Sequence, residues 1–162
     1  MLEVSIEGLA LDMSTNSPVV ILAPSKLDKV LPIWIGHAEA WAIAMELQGV
    51  KSNRPLTHDL MRKTFETLST RIDRIEIVGM KEQTFFAVIW AVDGNAQHQI
   101  DARPSDSIAL ALKSGATLYV NEELFYLNDK KPPAPENMPT DREELRERLK
   151  KINPEDFGKY TL

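Results

Sequence analysis

Residues 100–112 of the chain read IDARPSDSIALAL. The second half of this stretch is rich in alanine and leucine and is typical of a buried helix. The first half places two carboxylates, a guanidinium, a hydroxyl and a proline just before that helix. Pro104 suits the first helical position, and Ser105 and Asp106 suit the first turn, where an acid stabilises the positive end of the helix dipole. Asp101 and Arg103 are not needed for capping, so they are either ion-pair partners of each other or members of a site.

A similar pattern occurs earlier in the chain, at an offset of 67 residues. The segment GHAEAWAIAM at 36–45 falls on RPSDSIALAL at 103–112, and PVVIL at 18–22 falls on FFAVI at 85–89. The offset also places Glu39 on Asp106. A duplicated unit of three strands and one helix is the simplest explanation. The sequence therefore predicts a single α+β domain, in which a mixed or antiparallel sheet packs on two buried helices.

The remaining pattern predicts the other elements and the domain boundaries. Alternation and turn residues predict strands near 2–13, 71–80, 84–92, 96–102 and 116–120, and helical residues fill 37–47. Thr57 is the expected N-cap of a further helix with an apolar face formed by Leu60, Met61, Thr64, Phe65 and Leu68. We expect the domain to cover 1–125, a proline-rich linker to cover 126–139, and a charged helical tail to cover 140–162.

Composition excludes several classes of protein. The 162 residues include no cysteine, which excludes disulfides, thiolate zinc sites and cysteine nucleophiles. The first residues lack the basic and apolar segments of a signal peptide, and no stretch is long and apolar enough for a membrane helix, so we expect a soluble cytoplasmic protein with no membrane partner. A net charge of −5 argues against nucleic-acid binding by an overall positive field. Residues 51–74 are nevertheless basic, with six Lys or Arg against three Asp or Glu.

Three short patches combine the side chains that phosphoryl chemistry uses. They are Gly36–Glu39, Asn53–Asp59 and Asp101–Asp106. Capping explains Thr57, Asp59 and Asp106, whereas a carboxylate at the end of an apolar strand, as expected for Asp101, is costly unless it is paired or bound to metal. Arginines placed before helix starts are able to hold a phosphate, and converging carboxylates are able to hold Mg²⁺ or Mn²⁺.

With these motifs in order, the chain resembles the bifunctional nuclease family, whose members are described as cleaving both DNA and RNA. The resemblance covers about residues 1–125 and rests on motifs that are weak singly and specific together. They are Leu31–Gly36 with Glu39-Ala40, Arg54–Asp59, Thr84-Phe85, and Ile100–Asp106 leading into Ile108–Leu112. Ser107 stands where the family often has alanine. The resemblance implies a compact α+β domain and a nuclease that acts on DNA and RNA.

Motif position and side-chain chemistry together give a hypothesis for each role. Asp101, His58 and Asp59 are the predicted catalytic residues, and Arg54 and Arg103 are the predicted phosphate-binding residues. The predicted ligands of Mg²⁺ or Mn²⁺ are Glu39, Asp101 and Asp106.

Two other classes of function stay open at this point. The charged motifs are equally compatible with a non-catalytic binding or regulatory module, a homodimer or higher oligomer in which they serve as caps and salt bridges. A sensor of a small ligand or a metal is the third interpretation.

Overall fold

The computed structural model describes residues 1–130 and Phe157. Within that part of the chain, seven strands, three α-helices and a closing 3-10 helix follow one another. The strands are β1 (Leu2–Asp12), β2 (Ser17–Pro24), β3 (Leu31–Trp34), β4 (Thr70–Lys81), β5 (Thr84–Asp93), β6 (Ala96–Ala102) and β7 (Thr117–Val120). The α-helices are α1 (His37–Leu47), α2 (Thr57–Thr67) and α3 (Pro104–Ser114), and the 3-10 helix is Glu122–Lys130.

The strands form one mixed sheet in the order β3-β2-β1-β7-β4-β5-β6. Strands β1 to β3 pair as an antiparallel meander, and so do β4 to β6. Strand β7 lies between the two meanders, antiparallel to β1 and parallel to β4. Strand β7 comes last in the chain, and by pairing with both β1 and β4 it joins the two meanders into one sheet. The predicted α+β class is confirmed.

The two meanders match the predicted repeat in the order of their elements. Each consists of three antiparallel strands followed by a helix. Helix α3 begins at Pro104, 67 residues after α1 begins at His37, and the two helices have the same length. Strand β5 begins 67 residues after β2, at Thr84 and Ser17. The common origin of the two halves stays a prediction, and the shared order explains why one pattern of residues recurs.

Helices α1 and α3 form the centre of the helical layer. Both carry apolar side chains on most faces, and Ile43, Ile108 and Leu110 are fully buried in the main core. Helix α3 contacts α1, α2 and strands β4 and β5. Pro104 takes the first position of α3, and Gly115 ends it with a φ of 68°, a conformation that glycine adopts without strain. The predicted burial and limits of both helices are confirmed.

Helix α2 is more exposed than its sequence predicted. Met61 and Phe65 pack against the main core, as expected from the apolar face. Leu60 and Leu68, which were placed on the same face, are 59% and 66% exposed, and this part of the prediction is wrong. The physical reason is that α2 lies at the margin of the helical layer, where it contacts α3 and β4 and leaves its outer side to solvent.

The C-terminal part of the chain falls largely outside the described residues. Residues 126–130, which the sequence assigned to the linker, are part of the 3-10 helix. The rest of the predicted linker and tail lies outside the described part, except Phe157, which is 1% exposed and packs in the main core. Among the described residues, every helix is too short or too polar to cross a lipid bilayer.

Candidate functional site

The starts of helices α2 and α3 are joined by a histidine and an aspartate. His58, in the first turn of α2, is 6% exposed, and its Nε2 lies 3.0 Å from Oδ1 of Asp106, in the first turn of α3. The two residues are 48 positions apart in the chain and meet because α2 packs on α3. Both were predicted site residues, and the fold brings them into direct contact.

Arg103 connects the same aspartate to helix α1. Its Nε donates to Oδ2 of Asp106 at 2.7 Å, and its Nη2 lies 2.8 Å from Oε1 of Glu39. The two acids that the repeat equates therefore share one guanidinium. The carboxylate of Glu39 lies against Gly36, where a β-carbon would overlap it. Glu39, His58, Arg103 and Asp106 form a continuous chain of charged contacts, which we call the helix-start cluster.

The electrostatics of this cluster favour ionised Asp106 and Arg103. Burial raises the pKa of Asp106, but hydrogen bonds from Arg103 and His58 outweigh burial, so its pKa lies below the ordinary value of 3.8. The hydrogen bond with Asp106 and the charge of that carboxylate raise the pKa of Arg103 above its ordinary value. The ion pairs of Arg103 thus fix the Asp106 carboxylate, which in turn contacts Nε2 of the His58 ring.

Asp59 has a second set of partners on the neighbouring side of α2. Its Oδ2 accepts a hydrogen bond from the backbone N–H of Leu56 at 3.0 Å, and its Oδ1 lies 2.6 Å from Nζ of Lys113. Lys113 also contacts Glu46 at 2.9 Å. The prediction of Thr57 as N-cap is wrong by one residue, because Leu56 is the N-cap and the Asp59 carboxylate satisfies its N–H.

Burial and partner charges oppose one another at this second set of contacts. Burial raises the pKa of Asp59, but its hydrogen bonds and the charge of Lys113 bring that pKa below the ordinary value. Burial likewise lowers the pKa of Lys113, and the two carboxylates bring it above the ordinary value. Asp59, Lys113 and Glu46 therefore form a second ionised cluster, which joins α1, α2 and α3.

Asp101 takes no part in the described contacts of either cluster. It is an exposed residue of β6, the last strand of the sheet, where it pairs with Val88. The expected apolar, buried surroundings of Asp101 are wrong, because β6 is an edge strand whose residues are exposed except for half-buried Ala102. Arg103 directs its ion pairs to Glu39 and Asp106, which corrects the proposed pairing of Asp101 with Arg103.

The predicted metal ligands do not form a metal site in this arrangement. Both oxygens of Asp106 accept hydrogen bonds, from His58 and Arg103, and the guanidinium of Arg103 lies between Asp106 and Glu39. A guanidinium has only N–H donors and cannot coordinate a cation. Among residues 1–127, whose side chains the structure describes, His, Asp and Glu do not gather in groups of three that could hold a metal ion. Glu39, Asp101 and Asp106 therefore do not form a three-ligand group among the described side chains, and a role for Mg²⁺ or Mn²⁺ stays a prediction.

A concave cleft adjoins the start of α2. Its volume is about 500 Å³, and it lies between the end of α1, the loop from α1 to α2, and the first half of α2. Arg54, a predicted phosphate-binding residue, lines it, whereas Arg103 does not. The charged residues of its lining are Lys51, Arg54, Arg62, Lys63 and Lys113 with Glu46 and Asp59. We call this feature the basic cleft.

The sequence indicated only part of the basic cleft. The excess of bases in residues 51–74 was visible, and it contains Lys51, Arg62 and Lys63, although a solvated helix face was the favoured explanation of it. Lys113 gave no local signal, because it reaches the cleft only through the packing of α3 on α1 and α2.

Comparison with known proteins decides the family. A family model described as the bifunctional nuclease domain matches residues 20–131, a range that contains the helix-start cluster and the basic cleft. The chain belongs to the bifunctional nuclease domain family. The family resemblance predicted from the motifs is thereby confirmed.

Relatives within this bifunctional nuclease domain family fall into two groups. The chain is 38% identical over 162 residues to an uncharacterized protein of Mycobacterium tuberculosis, covering 96% of this chain and 97% of that protein. It is 22% identical over 127 residues to bifunctional nuclease 1 of rice, Oryza sativa subsp. japonica, covering 76% of this chain and 38% of the rice protein. A bifunctional nuclease of Oryza minuta shows the same identity and coverage.

Proposed function

We propose that the protein is a nuclease that hydrolyses phosphodiester bonds in both DNA and RNA. Membership of the bifunctional nuclease domain family and the names of the rice relatives support this proposal. The single observation that carries it is the contact between buried His58 and partly buried Asp106, which joins the first turns of α2 and α3 next to Asp59, a lining residue of the basic cleft.

The chemistry needs a group that moves protons at the attacking water and at the leaving oxygen. In hydrolysis, the water oxygen bonds to phosphorus, the ester P–O bond breaks, and the departing alkoxide takes up a proton. A histidine held by a carboxylate is suited to this transfer. Asp106 contacts Nε2 of His58, which leaves Nδ1 for proton exchange, and Arg103 keeps Asp106 ionised.

The other predicted roles follow from where the residues lie. Arg54, in the basic cleft, is placed to neutralise a substrate phosphate. Asp59 is already bound to Lys113 and to the N–H of Leu56, so we assign it the positioning of α2. The catalytic role of Asp101 stays a prediction, and so does the requirement for Mg²⁺ or Mn²⁺. Loss of cleavage in the presence of a chelator, with recovery on adding back either ion, is the expected result for a metal-assisted reaction.

One observation favours the alternative, a non-catalytic binding or regulatory module. Glu39, Asp106, Arg103, Asp59 and Lys113 are all engaged in ion pairs within the chain, as caps and salt bridges of a structural network would be. Assembly as a homodimer or higher oligomer also stays a prediction, and light scattering of the purified protein measures it. The two functions differ in what the loss of His58 does to catalysis.

The discriminating experiment is a cleavage assay on matched histidine variants. His58→Gln removes the proton-transfer group, and His98→Gln makes the same change on the exposed edge strand β6. Labelled RNA and DNA strands are incubated with each purified protein at matched folded fraction. We expect cleavage of both polymers by the wild type and by His98→Gln, and a loss of roughly 10²–10⁴-fold in His58→Gln.

A parallel series with Asp101→Asn tests the remaining catalytic prediction. A drop in rate at unchanged melting temperature assigns Asp101 to the chemistry, while an unchanged rate removes it. Absence of cleavage by the wild type, with and without divalent ions, would reject the nuclease and favour the binding module.

A further inference from the structure

The basic cleft carries more positive charge than its own acids neutralise. Lys113 is paired with Asp59 and Glu46, and Arg62 is paired with Glu66. Lys51, Arg54 and Lys63 are exposed and have no ion-pair partner among the residues that the structure describes. These three cations thus face one concavity in a chain whose net charge is −5.

Among the described residues alone, this arrangement is unfavourable. Cations gathered on the two sides of a cleft repel one another, and a concave wall of low dielectric strengthens the field between them. Lys51 and Arg54 lie on the loop between α1 and α2, and Lys63 lies on α2, so the repulsion acts across the opening. A bound anion between the loop and the helix would relieve the repulsion from both sides.

The lining suits a phosphate group and offers no stacking surface for a base. An arginine fork matches two oxygens of one phosphate, and lysines act as point charges toward its neighbours. The described lining contains no aromatic side chain on which a base could stack. Recognition in this cleft is therefore of the backbone and independent of base sequence.

The size of the cleft suits the backbone of one strand. A volume of about 500 Å³ is that of a small-ligand cleft and admits a stretch of single sugar-phosphate backbone. A smaller cleft of about 180 Å³ continues along α2 and shares Arg62 and Lys113 with the first. It adds Glu66, Arg71, which is ion-paired with Asp73, and the half-buried ring of Phe65, so a single strand that leaves the basic cleft meets an aromatic side chain.

We propose that the basic cleft binds the sugar-phosphate backbone of a single nucleic-acid strand, with Lys51, Arg54 and Lys63 contacting consecutive phosphates. The identity of the ligand as nucleic acid rests on the proposed function. The site itself rests on the free cations and on the shape of the cleft. It is separate from the helix-start cluster, whose charges are paired within the protein.

The test compares two double variants of equal charge. Arg54→Ala/Lys63→Ala removes two cations from the basic cleft, and Lys26→Ala/Lys81→Ala removes two exposed cations from turns and strand ends outside it. Fluorescence anisotropy measures binding of a labelled, cleavage-resistant phosphorothioate strand and of the corresponding duplex, across a series of salt concentrations.

We expect the cleft variant to bind the single strand about tenfold more weakly at low salt. Its log–log salt slope should be smaller by about 1.4, or about 0.7 for each phosphate that the protein no longer neutralises. The control variant should bind as the wild type does, and the duplex should bind more weakly than the strand. Equal affinity of the two double variants, or equal affinity for strand and duplex, would overturn the proposal.

The failure of this proposal and the failure of the nuclease are distinguishable. If the wild type cleaves nucleic acid while both double variants bind it equally, the nuclease stands and the cleft is rejected. If the cleft variant alone loses binding and the wild type cleaves nothing, the cleft stands and the nuclease is rejected.

Discussion

The helix-start cluster and the basic cleft are neighbouring charged regions of opposite character. In the helix-start cluster, Arg103 is bound by Glu39 and Asp106, and Asp106 is bound in turn by His58. In the basic cleft, Lys51, Arg54 and Lys63 are exposed and lack ion pairs with described residues. The first region has its counter-charges inside the chain, whereas the described residues supply none to Lys51, Arg54 and Lys63 in the second.

This difference separates what each region contributes. Paired, partly buried charges hold the starts of three helices together, so their loss should lower the free energy of unfolding. Free surface cations contribute little to stability and much to the attraction of anions. Substitutions in the two regions should therefore have opposite consequences for folding and for binding.

Asp106→Ala should have the largest effect on stability. It removes the shared partner of His58 and Arg103 and leaves a buried imidazole without its hydrogen bond. We expect the free energy of unfolding to fall by about 2–3 kcal/mol in urea titrations, with Asp101→Ala, an exposed acid of β6, as the control at under about 0.5 kcal/mol. Equal losses in the two variants would show that the cluster does not hold the helices.

Lys113→Met should have the next largest effect. The side chain of Lys113 is 8% exposed, and its loss leaves Asp59 and Glu46 facing each other without the cation between them. Because both carboxylates are about one-third exposed and methionine preserves packing, we expect a loss of about 1–2 kcal/mol. Lys81→Met, at an exposed strand end, is the matched control, and a fall of the same size there would refute the assignment.

Acid should weaken the paired regions in a defined direction. The pKa values of Asp59 and Asp106 lie below their ordinary value of 3.8, so their stabilisation is present above that value and is lost as the pH falls through the lowered pKa values. We expect the stability of the wild type to drop below about pH 4, and the drop to be smaller in Asp106→Asn. Thermal melts between pH 2 and 6 measure it, and parallel curves for the two proteins would contradict the pairing.

Substitutions in the basic cleft should have the smallest effect on folding. Arg54→Ala/Lys63→Ala removes exposed cations that lack ion pairs with described residues, so we expect the free energy of unfolding to change by less than about 0.5 kcal/mol. Because the substitutions relieve repulsion between the cations, we expect any change in the free energy of unfolding to be a small increase. A loss above about 1 kcal/mol would mean that these residues are structural and that the two regions are alike.

Local pattern was enough to predict most of the fold. Helix α1 has the limits that the residues 37–47 indicated, and β6 has those indicated for 96–102. Pro104 marked the start of α3 because backbone geometry at helix ends depends on the residues themselves. Each of these features is determined within a few positions of the chain.

The contacts of the site join residues that are far apart in the sequence, and a local sequence pattern does not indicate such contacts. The pairing of Arg103 with Glu39 follows from the packing of α3 on α1, and the exposure of Asp101 follows from the position of β6 at the edge of the sheet. Lys113 joins the basic cleft for the same reason. The sequence could name Glu39, His58, Arg103 and Asp106 as site residues, but it could not indicate that Arg103 joins Glu39 to Asp106.

The central claim is that His58, held by Asp106, moves the proton in phosphodiester hydrolysis. The most direct measurement is the single-turnover cleavage rate of one labelled RNA strand and one labelled DNA strand by wild type, His58→Gln and His98→Gln at matched folded fraction. We predict that wild type and His98→Gln cleave both strands and that His58→Gln is slower by roughly 10²–10⁴-fold. Equal rates for His58→Gln and the wild type would contradict this role of His58.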